Sequence, residues 1–228
     1  MKSLRRTNFP VIYAIIVLLA GACAPAYVPN VINTPLISKA GEFNASIYTG
    51  TSGIDPQLSL GVTDHFGIML NGSFASRTSD STDDFHKHFF VEMAPCYYSV
   101  FEENGRFELY GGFGFGKIQA EFDNNLWISR SNVSYYRFFL QPSIGYASNY
   151  FDASLATRIV MVNIQQESNR NTGFFFEPAG TIKVGMPSFK FVFQLGVSVP
   201  VNSDRIEFNY QPFMFSVGLQ GTLGRMNK

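Results

Sequence analysis

The stretch from Ser79 to His88 contains the densest set of side chains that could do chemistry. It combines three carboxylates with two imidazoles; imidazole is a common Zn²⁺ ligand, and carboxylates suit Mg²⁺ or Ca²⁺. The residues that could hold a divalent ion are Asp83, Asp84, His86 and His88. Their spacing matches no established metal site, so we favour a solvated surface loop and expect no cofactor.

The same stretch supplies the ingredients of a Ser–His–Asp arrangement. Ser79 or Ser81 could be a nucleophile with His86 or His88 as its base, as in an acyl hydrolase or acyltransferase. The chain has no nucleophile-elbow pattern, and His65 lies in a predicted tight turn away from the other two histidines. The sequence therefore favours a non-enzymatic protein and leaves such an enzyme as an alternative.

One glycine-rich run has the spacing of a phosphate-binding loop. Gly111 to Lys117 fits G-x-x-x-x-G-K, but Ile118 stands where such a loop needs Ser or Thr. No helix pattern follows that could offer its amino terminus to a phosphate. We therefore predict a strand whose glycines make room for facing aromatic rings.

The composition is rich in aromatic residues and poor in charge. The 228 residues include 24 Phe and 20 Gly, and 15% are charged, against a usual share of about 25%. This balance argues against a helical bundle and against disorder. The net charge is +0, so no nucleic-acid partner is expected.

From Gly41 onward the hydrophobic period is two, which is the period of a β-strand. About ten segments alternate in this way, and in Phe213–Leu223 one parity is apolar while the other is small or polar. The apolar parities carry no charge. A wide, Phe-rich, uncharged face opposite a polar one is typical of a transmembrane barrel. We predict an all-β fold over residues 41–228: a transmembrane antiparallel up-and-down β-barrel of about ten strands.

Charged side chains on the polar parity form a series across neighbouring strands. Opposite charges on adjacent strands can pair, and long side chains can fill the lumen of a barrel of about ten strands. The interior is therefore either a packed ionic plug or a narrow polar pore. The predicted network consists of Glu92, Glu108, Arg137, Arg158, Glu177 and Lys183.

The connections between the predicted strands alternate in length. Tight turns are expected near 64–65, 102–105, 149–150 and 187–188, and longer polar loops at 77–84, 123–132 and 165–172. Short turns of outer-membrane barrels face the periplasm, which would place both ends of the barrel chain there. Four prolines inside strand patterns, Pro56, Pro95, Pro142 and Pro178, predict bulges or shorter strands.

The amino terminus has the pattern of a signal peptide over residues 1–22. Three basic residues precede the apolar run Val11–Ala20, which is too short to span a bilayer as a helix. Cleavage at Ala20-x-Ala22 would leave a free amino terminus. The alternative, which we favour, is that Cys23 stands at a lipobox-like cleavage point and is acylated. Residues 23–40, with three prolines and no clear period, then predict a lipidated extended tether.

In these features the chain resembles the small outer-membrane β-barrel proteins of the Bacteroidota, which are broadly similar to the OmpA- and OmpX-like barrels. The resemblance is carried by Gly21-Ala22-Cys23, by the turn Val62–Ile68 and by strands of the Tyr110–Gly114 kind. It covers about residues 41–223, is architectural and brings no catalytic motif with it.

The strand pattern and the lipobox together predict a bacterial outer-membrane lipoprotein with a periplasmic amino terminus. Its expected partners are outer-membrane lipids, lipopolysaccharide and an envelope protein. The expected role is structural, or a surface interaction through the outer loops. A narrow channel for ions or small solutes is the alternative, and a lipid-modifying enzyme at the outer rim is the third hypothesis.

Overall fold

The computed structural model describes residues 25–78, 85–123, 128–166, 169–201, 203, 206 and 208–224. Their strands are β1 (Phe43–Gly50), β2 (Gly53–Gly61), β3 (Phe66–Thr78), β4 (Phe85–Phe101), β5 (Gly105–Asp123), β6 (Ile128–Ala147), β7 (Phe151–Gln166), β8 (Asn169–Met186), β9 (Phe189–Val197), β10 (Val199–Pro200) and β11 (Phe213–Leu223). Neighbouring strands are antiparallel, and β11 pairs with both β9 and β1, which closes the sheet into a barrel. Within the described ranges, no helix is long and apolar enough to cross a membrane.

The barrel has ten strands in the described part of the chain, because β9 and β10 are one strand with a local break. Both pair with β8 in the same register, as Ala179↔Gly196 and Phe176↔Val199 show. The break lies beside Pro178, whose nitrogen has no hydrogen to donate to the ladder. The predicted closed, antiparallel, ten-stranded all-β architecture is confirmed.

The four strand prolines do not cause bulges. On either side of the gap next to Pro56 the β2–β3 register is unchanged, from Ile54↔Phe74 to Gln57↔Asn71. The ladders beside Pro95, Pro142 and Pro178 are interrupted in the same way. A bulge adds a residue and would shift the register. The prediction of bulges or shortened strands is therefore wrong: each proline only leaves a gap in the pairing with one neighbouring strand.

The two ends of the barrel differ in their connections. The turn end carries the connections at 62–65, 102–104, 148–150 and 187–188, and the loop end is the opposite end, where β1, β3, β5, β7 and β10 end. The predicted tight turns are confirmed. The described residues of the predicted loops at 77–84, 123–132 and 165–172 are strand instead, because a polar antiparallel pair satisfies its backbone by pairing and polarity alone does not end it. The rest of these loops, 79–84, 124–127 and 167–168, lies outside the described residues.

The outer surface is apolar and the interior is largely polar. Exposed side chains on the wall include Leu58, Phe89, Phe138 and Phe191, whereas Arg137, Arg158 and Lys183 are among the largest fully buried ones. A water-soluble protein has the opposite distribution. The outward parity is thus the apolar one, as the period-two pattern predicted.

The chain that precedes β1 lies inside the barrel. We call residues 25–38 the lumen segment; residues 25–37 are buried. At the loop end Tyr27 forms a bridge with Tyr210, and at the turn end the Gly41 nitrogen donates to the Gly61 oxygen at 2.8 Å. Within the predicted extended tether (23–40), residues 25–37 therefore occupy the lumen. The backbone is extended, but its side chains supply partners for the polar interior.

The proposed signal peptide (1–22) and Cys23 lie outside the described residues. Cleavage and acylation at this point therefore stay predictions.

Candidate functional site

The centre of the lumen holds a fully buried ionic cluster of Glu92, Arg137, Arg158 and Glu177. The Arg137 Nε donates to Glu92 Oε2 at 3.0 Å, and Arg137 Nη2 pairs with the same oxygen. Arg158 Nη2 lies 2.8 Å from Glu177 Oε2, and Arg158 Nη1 lies 3.6 Å from Glu92 Oε1. Two cations therefore face two anions, and all four side chains are shielded from solvent.

Gly114 allows Glu92 and Arg137 to meet. Glu92 on β4 and Arg137 on β6 are both register partners of Gly114 on the strand between them. A Cβ at Gly114 would lie 2.4 Å from the Phe90 ring and 2.7 Å from the Glu92 Cβ. The run that has phosphate-loop spacing is thus a strand, and this glycine makes room for a salt bridge that crosses β5.

Asn30 of the lumen segment joins the two arginines and Glu92. Its Nδ2 donates to Glu92 Oε1 at 3.0 Å, and its Oδ1 accepts from Arg158 Nη1 at 2.9 Å and also from Arg137 Nη2. The Asn30 main-chain oxygen accepts from Arg158 Nη2 at 3.1 Å. A charge-assisted hydrogen bond is about twice as strong as a neutral one, so these contacts hold the segment at the middle of the lumen.

Tyr27 ties the segment to the same cluster from the loop end. Its hydroxyl donates to Glu177 Oε1 at 2.7 Å and accepts from Arg137 Nη1 at 3.2 Å. Its ring packs against Phe175 at a centroid distance of 4.8 Å. The Arg137 guanidinium lies 4.1 Å from the Phe90 ring centroid, where a cation–π contact adds to the ion pairs.

Glu108 and Lys183, the other two predicted network residues, lie nearer the turn end and bind the segment separately. Glu108 Oε1 accepts from the Ile37 nitrogen at 2.9 Å. Lys183 Nζ donates to the Thr34 oxygen at 2.5 Å and to Gln220 Oε1 at 2.7 Å. All six predicted residues therefore face the lumen, but four form one cluster and two reach the segment on their own.

Sequence reasoning missed Tyr27 and Asn30, because residues 23–40 show no strand or helix period. One signal was available. The segment contains several large apolar residues, among them Val31, Ile32 and Leu36, all now buried. A solvated linker is poor in such residues.

An aromatic cap closes the lumen at the loop end. The connection at 201–212 contributes Phe208 and Tyr210, whose rings lie 6.1 Å and 5.2 Å from that of Phe175. The Asn209 oxygen accepts from the nitrogens of Ala26 and Tyr27. This cap is a joint product of the lumen segment and the last connection, which are far apart in the chain.

The two histidines among the candidate metal ligands bind each other. His88 Nδ1 lies 2.9 Å from His86 Nε2, and His88 Nε2 lies 3.0 Å from Ser73 Oγ. Both His88 nitrogens are thus already hydrogen-bonded. Asp83 and Asp84, the other two candidate ligands, lie outside the described residues, and the described part of the chain contains no group of three or more candidate ligands.

Ser73, His88 and His86 are hydrogen-bonded in the order of a nucleophile, its base and a group that orients the base. Sequence reasoning did not select Ser73. Its residue is only 2% exposed. The hydrogen bond between Ser73 and His88 ties β3 to β4 at the loop end. Ser79 and Ser81, the nucleophiles first considered, lie outside the described residues.

No protein-family model and no curated protein sequence matches this chain. Its class is therefore defined by architecture: a closed, antiparallel, ten-stranded β-barrel in the described residues, with an apolar exterior and a polar lumen that its own chain occupies. The barrel architecture that the resemblance implied is confirmed, and both the outer-membrane location and membership of a particular family stay predictions.

Proposed function

We propose that this protein is an outer-membrane β-barrel lipoprotein, sealed by its lumen segment, that acts as a structural or surface-interaction protein through its loop end. The observation that carries the proposal is the course of residues 25–38, which run through the barrel from end to end. They are hydrogen-bonded at the loop end, at the central cluster and at the turn end.

The outer wall supports a membrane location. Lipid offers no hydrogen-bond partner, so a membrane sheet must close on itself, as this one does. β6 has 20 residues; at about 3.4 Å per residue and a tilt of about 40° it rises about 50 Å, twice the apolar band of about 25 Å. Outward polar residues near the loop end, such as Gln119, Asn132 and Arg170, are exposed and suit the polar headgroups of lipopolysaccharide.

The filled lumen weighs against a narrow channel. The central cluster and Asn30 lie across the middle of the barrel, and every charged atom there faces an opposite charge or a hydrogen-bond partner. An ion would have to displace these groups and leave buried charges uncompensated, at a cost of about 3–5 kcal/mol for each broken pair. The covered Ser73 hydroxyl likewise weighs against an enzyme.

A cold gel and a planar bilayer test the proposal together. Protein extracted from the membrane fraction is expected to migrate differently before and after boiling, as a closed barrel does. In bilayers the wild type is expected to be silent, and a variant that lacks residues 26–37 is expected to conduct. Release as a soluble species with no heat shift would refute the membrane barrel, and steady wild-type conductance would refute the seal.

A further inference from the structure

The lumen segment runs through the barrel in a direction that determines where the amino terminus lies. At the loop end, the nitrogens of Ala26 and Tyr27 donate to the Asn209 oxygen at 2.8 and 3.2 Å, and the Gln211 nitrogen donates to the Tyr27 oxygen at 3.0 Å. Asn209 and Gln211 belong to the connection that follows β10. The first described residues are therefore held at the loop end.

Successive residues of the segment contact groups that lie progressively nearer the turn end. Asn30 binds the central cluster, Thr34 accepts from Lys183 at 2.5 Å, and Ile37 donates to Glu108 at 2.9 Å. At the turn end the Ala40 nitrogen donates to Asp64 Oδ1 at 3.3 Å. The chain then enters β1. The segment therefore crosses the whole barrel before the first strand begins.

We propose that the chain preceding Pro25 is displayed on the outer face of the membrane, so that the acyl chains of a lipidated Cys23 enter the outer leaflet. The proposal rests on the proposed outer-membrane function, in which the short connections of the turn end face the periplasm. Cys23 precedes Pro25 by two residues, which span at most about 7 Å. The lipid anchor then lies on the opposite side of the membrane from the turn end of the barrel.

This topology replaces the expectation of a periplasmic anchor. That expectation placed the amino terminus on the same side as the ends of the sheet, and both Phe43 and Leu223 do lie at the turn end, where they pair. The segment before Phe43 returns through the lumen, however, and carries the amino terminus to the opposite side. The expected partner of this terminus is therefore the lipid of the outer leaflet.

Cysteine labelling in intact cells tests the proposal. Ala24→Cys reports the amino terminus, Thr78→Cys reports the loop end and Ala40→Cys reports the turn end; Thr78 and Ala40 are both exposed. The wild type is the background, since its described cysteine, Cys96, is buried. With a membrane-impermeant maleimide, the Ala24 and Thr78 variants are expected to label at least tenfold more than the Ala40 variant until the outer membrane is permeabilised.

Each other outcome identifies what has failed. If the Ala24 variant labels together with the Ala40 variant, the threading through the lumen is wrong. If the Ala40 variant alone labels in intact cells, the barrel is inverted and the surface position of the terminus is refuted. If heat-modifiability is absent from all variants, the proposed outer-membrane barrel itself has failed. Palmitate incorporation that persists in a Cys23→Ala variant would overturn the lipid anchor.

Discussion

Replacing Glu92 by Gln should destabilise the barrel strongly, because Glu92 is the anion that both central arginines share. Its carboxylate pairs with Arg137 and lies 3.6 Å from Arg158. The substitution leaves two buried cations and only Glu177 to balance them. Removing one partner of a buried ion pair costs about 3–5 kcal/mol, so we expect the free energy of unfolding to fall by about that amount.

The assay follows the heat-sensitive gel shift of the detergent-folded protein across a urea series. A Glu102→Gln variant is the matched control, since Glu102 is an exposed turn residue and the chemical change is the same; its expected effect is below about 0.5 kcal/mol. The double variant Glu92→Gln/Arg137→Met restores neutrality and should recover part of the loss. A Glu92→Gln protein within about 1 kcal/mol of the wild type would contradict the cluster's role.

Three further outcomes are expected. Gly114→Ala should lower the free energy of unfolding by about 1–3 kcal/mol through overpacking. Gly111→Ala is the control, since a Cβ there meets nothing within 4 Å, and it should leave the urea midpoint unchanged. Equal shifts in the two variants would count against steric crowding at Gly114. Lys190→Met removes the cation 2.5 Å from the buried Asp152 and should lower stability by about 3 kcal/mol, measured on the same gel. His88→Ala should leave the phospholipid composition of the envelope unaltered by mass spectrometry, and a change would favour the enzymatic alternative.

The strand pattern was accessible from sequence because period two is a local property. In the C-terminal strand Phe215 and Val217 alternate with Ser216 and Gly218, and the structure exposes the first pair on the wall and turns Ser216 inward. The same rule selected Arg137 and Glu177 as lumen residues. Nothing local could show that Arg137 pairs with Glu92 across an intervening strand, since that depends on register.

Local rules failed where pairing overrides the properties of a single residue. Pro142 and the other three strand prolines suggested bulges. Each of them interrupts the pairing with only one neighbouring strand, because the strand on the other side still pairs, as Leu109 does with Pro142. The polar ends of β5 and β6 suggested loops, yet antiparallel pairing satisfies their backbone as far as Asp123. Polarity determines which solvent a strand faces and does not determine where the strand ends.

The sequence by itself determined the class of fold, the parity of the strands and six of the buried charged residues, because all of these depend on neighbours two residues apart. Only the tertiary structure decided what fills the lumen. Tyr27 and Asn30 meet Glu177 and Glu92 across separations of 150 and 62 residues, and such contacts exist only once the sheet has closed. The need of a polar interior for hydrogen-bond partners draws the segment inside, where it runs from the loop end to the turn end.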